Sequence, residues 1–100
     1  MPRRTTLVIA VTIYSRPGCH LCQVMKAVVE HVGRTIPLHL EEIDVSIDAA
    51  LEARYGSDIP VLLVDGKKAA KYRVTKEELT RLLLARAGEA GETGEAGETG

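Results

Sequence analysis

The chain has 100 residues, 45% apolar and 27% charged, with a formal net charge of −1; this is the size of one small domain. Its basic residues are scattered and Tyr is its only aromatic type, so neither a stacking platform nor a basic helix face for nucleic acid is expected. No apolar run approaches membrane-spanning length, and no membrane partner is expected.

Residues 1–87 and 88–100 differ sharply in composition. The last thirteen repeat Gly-Glu-Ala-Gly-Glu-Thr twice and end on Gly100. Nothing there is larger than Thr or Glu, so little burial can offset the entropy of ordering it. The reading is a folded domain over 1–87 and a low-complexity, disordered tail over 88–100. The tail holds four of the fourteen acidic residues, leaving ten against thirteen basic ones in the body. At the other end, Arg3-Arg4 before the apolar residues 7–13 superficially resembles a signal peptide. The run is at the lower limit for one, lacks a small-x-small cleavage site, and feeds straight into the cysteine motif. A cytoplasmic location is therefore expected.

In chain order, residues 5–14 are rich in Val, Ile, Leu and Thr and nearly continuously apolar. They read as a central strand covered on both faces. Ser15 to Gly18 form a loop, with Pro17 and Gly18 as punctuation. Residues 20–32 switch to helical spacing, with Leu21, Val24, Met25, Val28, Val29 and Val32 on one face and Gly33 as the stop. Met25 is assigned to packing. Residues 36–45 read as a second strand with Leu38, Leu40 and Ile43 inward; its alternation slips at Glu41-Glu42, which suggests a bulge or an early end. Asp44 or Ser46 is the expected cap of a short helix over 47–55, ended by Gly56.

Pro60 then introduces a very apolar strand, Val61 to Val64. Asp65-Gly66 is a hairpin signal, and the lysine-rich residues 67–72 suit a returning edge strand. Thr75 and Glu78 form a capping box for the last helix. Leu79, Leu82 and Leu83 give it an apolar face, Arg81 and Arg86 favour its second half, and Gly88 is the expected stop. The order is β-α-β-α-β-β-α. A right-handed crossover makes the first two strands parallel, giving an α/β fold with a mixed four-stranded sheet flanked by helices.

Both cysteines lie in Arg16-Pro17-Gly18-Cys19-His20-Leu21-Cys22, between the first strand and the first helix. A C-x-x-C pair is open to three readings: packing, half of a zinc site, or redox chemistry. For zinc, His20 would join from an awkward angle, His31 and His39 are distant in sequence, and no second C-x-x-C exists, so no metal site is assigned. His31 and His39 are read as a surface helix residue and a strand residue. For redox chemistry the placement is apt. A thiolate is the attacking species, and an unperturbed Cys, with a pKa of about 8.5, is only a few per cent ionised at neutral pH. At the start of a helix, free N–H groups and the helix dipole favour the Cys19 thiolate. Arg16 adds a positive charge, and His20 adds one when protonated. Cys22, one turn later, can attack the mixed disulfide and release reduced substrate. Cys19 is thus the nucleophile and Cys22 the resolving thiol.

The stretch from Tyr14 to Cys22, the stretch from Ile59 to Gly66 and the element order resemble the thioredoxin superfamily, and within it the glutaredoxin-like proteins. The similarity spans residues 5–87 and is nearest to a group with a Gly-Cys-x-Leu-Cys motif and an Ile-Pro-Val strand. It implies a thiol–disulfide oxidoreductase with catalytic Cys19 and Cys22. It also implies a cis Ile59–Pro60 bond facing the cysteines, with the Ile59 backbone free to pair with an extended substrate. Ile59, Pro60 and Arg16 are the substrate-binding candidates, Arg16 being open to a glutathione-contact or a plain surface-charge reading. His20 and Leu21, the intervening dipeptide, are the candidates for tuning the redox potential, His20 being open also to the reading of an exposed first-turn helix residue; Tyr14 lines the site or simply ends its strand.

The implied partners are a disulfide-containing protein or small thiol substrate, and a reductase or low-molecular-weight thiol as electron source. No tightly bound cofactor is expected, glutathione or another thiol serving as reductant, and the chain is expected to be a monomer. An iron–sulfur or metal carrier (a cluster shared by two chains) and a redox-sensing adaptor are the alternatives on the same fold. The sequence departs from the family at several points. The Gly-Gly pair of glutathione-using glutaredoxins falls at Ala70-Lys71, no Trp precedes Cys19, and the first strand lacks an Asp.

Overall fold

The computed structural model describes residues 8–92. Its elements run β1 (Ile9–Ser15), α1 (His20–Val32), β2 (Leu38–Asp44), a 3₁₀ turn (Val45–Ile47), α2 (Ala49–Tyr55), β3 (Val61–Val64), β4 (Lys67–Lys71) and α3 (Lys76–Glu92). The expected β-α-β-α-β-β-α order and mixed four-stranded sheet are both present. The strand order is β2-β1-β3-β4. β1 pairs with β2 in parallel, from Ile9↔Leu38 to Ser15↔Asp44, and antiparallel with β3. The expected lysine-rich edge is β4.

Side-chain alternation divides the sheet into two unequal faces. Ile9, Val11 and Ile13 of β1 and Leu62 and Val64 of β3 pack against Met25, Val29 and Val32 of α1 and Leu79 and Leu83 of α3. Cys22 joins the buried side of α1, whereas Val24 remains exposed despite its helical spacing. The opposite face is covered more lightly. Ala10 is exposed and Thr12 and Tyr14 are half-buried, so β1 is not sealed on both sides, as its apolar run suggested. The short α2 covers only the end of the sheet near the cysteines, where Tyr14 and Tyr55 stack with ring centroids 4.4 Å apart.

Three further expectations are corrected. β2 runs through Glu41 and Glu42 in unbroken register. Glu42 keeps the parity of Leu38 and Leu40, and its charge is met there: Ser15 Oγ donates to Oε2 at 3.1 Å and Lys26 Nζ lies 3.2 Å from Oε1. The irregularity falls instead in the β3–β4 hairpin, where Leu62↔Ala70 is followed by Leu63↔Lys68. The helix expected over 47–55 divides in two. Asp44 caps the 3₁₀ turn, and Asp48 caps α2 by accepting from the N–H groups of Ala50 and Leu51. Finally, α3 passes Gly88 and Gly91 and continues to Glu92, because a glycine lowers helix propensity without terminating a helix by itself. The remainder of the tail, 93–100, and the Arg3-Arg4 segment lie outside the described residues.

The hairpin turn and the final cap follow the sequence closely. Asp65 and Gly66 have φ of 52° and 82°, the pair of left-handed residues that a tight two-residue hairpin requires. Thr75 Oγ1 accepts from the Glu78 N–H at 3.0 Å, and Glu78 Oε1 accepts from the Thr75 N–H at 2.9 Å. Thr75→Ala is expected to destabilise the domain by about 1 kcal/mol, seen as a lower urea midpoint at an unchanged m-value; an unmoved midpoint would show that the cap contributes nothing.

Candidate active site

The site begins where β1 ends. The Cys19 N–H donates to the Arg16 carbonyl at 3.2 Å, closing a four-residue turn over Pro17 and Gly18. Gly18 has φ +79°, the left-handed conformation that glycine adopts at least cost in the third position of such a turn. The turn delivers Cys19 as the N-cap of α1. Its extended backbone (φ −84°, ψ 111°) lets Sγ accept from the Cys22 N–H at 3.0 Å. A sulfur thus takes the part usually played by a Ser or Asp oxygen.

Cys19 and Cys22 form a disulfide, with Cα atoms 5.2 Å apart. Their environments differ: Cys19 is half-buried and Cys22 is 2% exposed. Cys22 is therefore the buried member of the pair and Cys19 the more exposed one. An open pocket of about 290 Å³ adjoins the pair; both cysteines line it, together with Ser15, Arg16, Glu42 and Asp44. Its two carboxylates were not among the site residues expected from sequence. The signal for Glu42 was present, a charged residue at inward parity in β2, but it read as an irregular strand.

The remaining expected residues are distributed around this centre. His20 is exposed and Leu21 half-buried; neither lines the pocket. The Ile59–Pro60 bond is cis. The pairing Tyr14↔Val61 sets Pro60 and Ile59 beside the end of β1, where the chain enters the cysteine turn. Pro60 is buried and its carbonyl accepts from the Tyr72 N–H at 2.8 Å. Tyr14 packs on α2 through Tyr55 and does not line the pocket. Arg16 is engaged: its guanidinium donates to Glu52 Oε2 at 2.8 Å and to the Gly56 carbonyl at 2.9 Å. Sequence reasoning missed Glu52 because nothing in α2 marks it as a neighbour of the cysteine loop. Among the described residues, no three His, Cys, Asp or Glu side chains gather in a way that could hold a metal ion. No helix there is long and apolar enough to cross a membrane.

A mixed sheet of this order, with a C-x-x-C disulfide at the N-terminus of its first helix, defines a protein of the thioredoxin-like fold. Residues 10–84 match the model of the glutaredoxin-like domain (DUF836), and the chain belongs to that family. It is 31% identical over 77 residues to the glutaredoxin-like protein YDR286C homolog of Dictyostelium discoideum, covering 71% of each chain. Among solved structures it is similar to protein Ne2328 of Nitrosomonas europaea, with a TM-score of 0.70, 24% identity, and coverage of 82% of this chain and 99% of the other. It is also similar to a mutant thioredoxin of Halobacterium salinarum, with a TM-score of 0.55, 25% identity, and coverage of 75% of this chain and 71% of the other.

A Cβ at Gly18 would meet no atom within 4 Å, so Gly18→Ala tests backbone conformation alone. It is expected to destabilise the oxidised protein by about 1–2 kcal/mol in urea unfolding; a neutral result would mean that the turn relaxes without cost.

Proposed function

We propose that this chain is a thiol–disulfide oxidoreductase acting through a dithiol mechanism, in the group marked by Gly18-Cys19-His20-Leu21-Cys22. The observation that carries this reading is the asymmetry of the pair: a half-buried Cys19 whose sulfur receives a backbone N–H, and a buried Cys22 one turn behind it. In the dithiol form the Cys22 N–H and the positive end of α1 favour charge on Cys19. The Cys19 thiolate attacks a substrate disulfide, forming a mixed disulfide and expelling one substrate sulfur as thiolate. Cys22 gives up its proton and attacks Cys19 Sγ. The Cys19–Cys22 bond forms, the bond to substrate breaks, and the second substrate sulfur leaves and takes up a proton. Two electrons have then passed to the substrate, and a reductase or low-molecular-weight thiol returns the pair to the dithiol.

The Ile59 backbone beside the cysteine turn is the proposed docking edge for an extended substrate, and the substrate is a disulfide-containing protein or a small disulfide. His20 and Leu21, as the intervening dipeptide, are the proposed tuners of the potential. Glutathione has weak support as the electron source. The family's Gly-Gly pair is replaced by Ala70-Lys71. At the start of α3 the Thr75 and Glu78 N–H groups are already used by the capping box, which places carboxylates where an anion would bind. A monomer working in the cytoplasm completes the proposal.

The test is a pair of measurements on purified protein. Alkylation of Cys19 as a function of pH should give a pKa below that of an ordinary thiol. Disulfide reduction should proceed with thioredoxin reductase or, in a separate assay, with glutathione. Cys19→Ser should abolish turnover, and Cys22→Ser should accumulate mixed disulfides on Cys19. An ordinary thiol pKa together with no turnover from either donor would sink the reading; trapping by Cys19→Ser instead of Cys22→Ser would reverse the two roles.

A further inference from the structure

Arg16 has both of its ends committed. Its carbonyl accepts from the Cys19 N–H at 3.2 Å, and its guanidinium reaches Glu52 Oε2 at 2.8 Å and the Gly56 carbonyl at 2.9 Å. A chain of hydrogen bonds therefore runs from α2 through one residue to the reactive cysteine. The packing around it leaves no slack. A Cβ on Gly56 would stand 2.5 Å from the Glu52 carbonyl oxygen, which demands a glycine there, and 2.7 Å from Glu52 Oε2 and 3.0 Å from the Arg16 guanidinium, which would have to shift. Glu52 Oε1 is buried with no hydrogen-bond partner and is the one such side-chain atom among the described residues. The Glu52 side chain as a whole is 40% exposed, and as the acidic residue of the first turn of α2 it is also favoured by the helix dipole. What Glu52 contacts is the guanidinium of the residue that opens the cysteine turn.

We propose that Glu52 is a positioning residue for the redox centre: acting through Arg16, it holds the turn that presents Cys19 and limits how much of the guanidinium charge reaches the sulfur. This rests on the oxidoreductase reading above. A free Arg16 would stabilise the thiolate by its full charge; paired with Glu52 it acts as a partly cancelled dipole. Cys19 then draws its activation mainly from the Cys22 N–H and the helix terminus, with Glu52 setting the balance. The other charged groups around the motif are His20 at the start of α1, Glu42 with its partner Lys26, Asp44 at the end of β2, and Asp58, which lies 3.7 Å from Lys71. None of these contacts is altered by a substitution at position 52.

The experiment measures Cys19 alkylation against pH and the dithiol–disulfide equilibrium against a reference thiol couple. Both readouts are independent of turnover. Glu52→Gln retains the shape and removes the charge. It is expected to raise the alkylation rate at a pH well below the Cys19 pKa by about threefold, and to shift the equilibrium toward the dithiol by a similar factor. Glu52→Ala, a second variant with a good helix former, should move both readouts in the same direction. Arg16→Ala should slow alkylation. In the Arg16→Ala background, adding Glu52→Gln should give a smaller shift in both readouts, because the positioning through the guanidinium is gone and only the direct field of the carboxylate remains. Unshifted or slowed alkylation in a folded Glu52 variant would overturn the proposal, as would a shift of equal size in the Arg16→Ala background. Wild-type turnover alongside unshifted variants would sink only the role of Glu52; a wild type with an ordinary thiol and no turnover would sink the oxidoreductase reading itself.

Discussion

The hydrogen bond from the Cys22 amide to the Cys19 sulfur settles two matters at once. A helix must satisfy its first N–H groups with something, and here the acceptor is a sulfur of the cysteine pair. Helix α1 is thereby capped by a member of its own disulfide. The same contact fixes which sulfur faces outward, because the N-cap lies before the helix and Cys22 falls on the stripe that enters the core with Met25, Val29 and Val32. Placement of the pair, polarity at Cys19 and burial of Cys22 are one geometric fact seen from three sides. That fact depends in turn on the end of β1 and on the turn over Pro17 and Gly18, which sets the direction of entry into α1.

The sheet supports this arrangement unevenly. On one face, α1 and α3 bury a continuous apolar layer across β1 and β3. On the other, α2 is attached by directional contacts: the Tyr14–Tyr55 stack and the engagement of Arg16 with Glu52 and Gly56. These contacts all lie near the end of β1 that leads to the cysteines. Glu42 shows a similar economy within the core-facing side, since Ser15 and Lys26 allow a carboxylate to occupy a position where periodicity calls for an apolar residue.

Much of this was legible in the sequence, for physical reasons that differ from element to element. The span of α1, the strand 61–64, the Asp65-Gly66 turn and the Thr75–Glu78 box are local features, set by periodicity, left-handed backbone or reciprocal capping. The cysteine pair was likewise legible from its position between strand and helix. What escaped was non-local. Glu42 appeared as a fault in a strand because its partners, Ser15 and Lys26, come from other elements. Arg16 appeared as an open choice between ligand contact and surface charge because Glu52 is 36 residues away. The division of the 47–55 helix was missed because Asp48 competes with Asp44 and Ser46 as a cap, and spacing alone does not rank them. Gly88 was given too much weight as a stop in a helix whose first three turns are firmly packed by Leu79 and Leu83.

The light attachment of α2 has a consequence for how the molecule fluctuates. A helix of seven residues with no fully buried side chain belongs to the least protected tier of a folded domain, opening at far lower free energy than the layer between α1 and α3. Its amides will exchange with solvent by local detachment while those of β1 and β3 wait for global unfolding. Because Arg16 belongs to both α2's attachments and the cysteine turn, that local opening reaches the redox pair, and well-protected and poorly protected amides meet near Cys19.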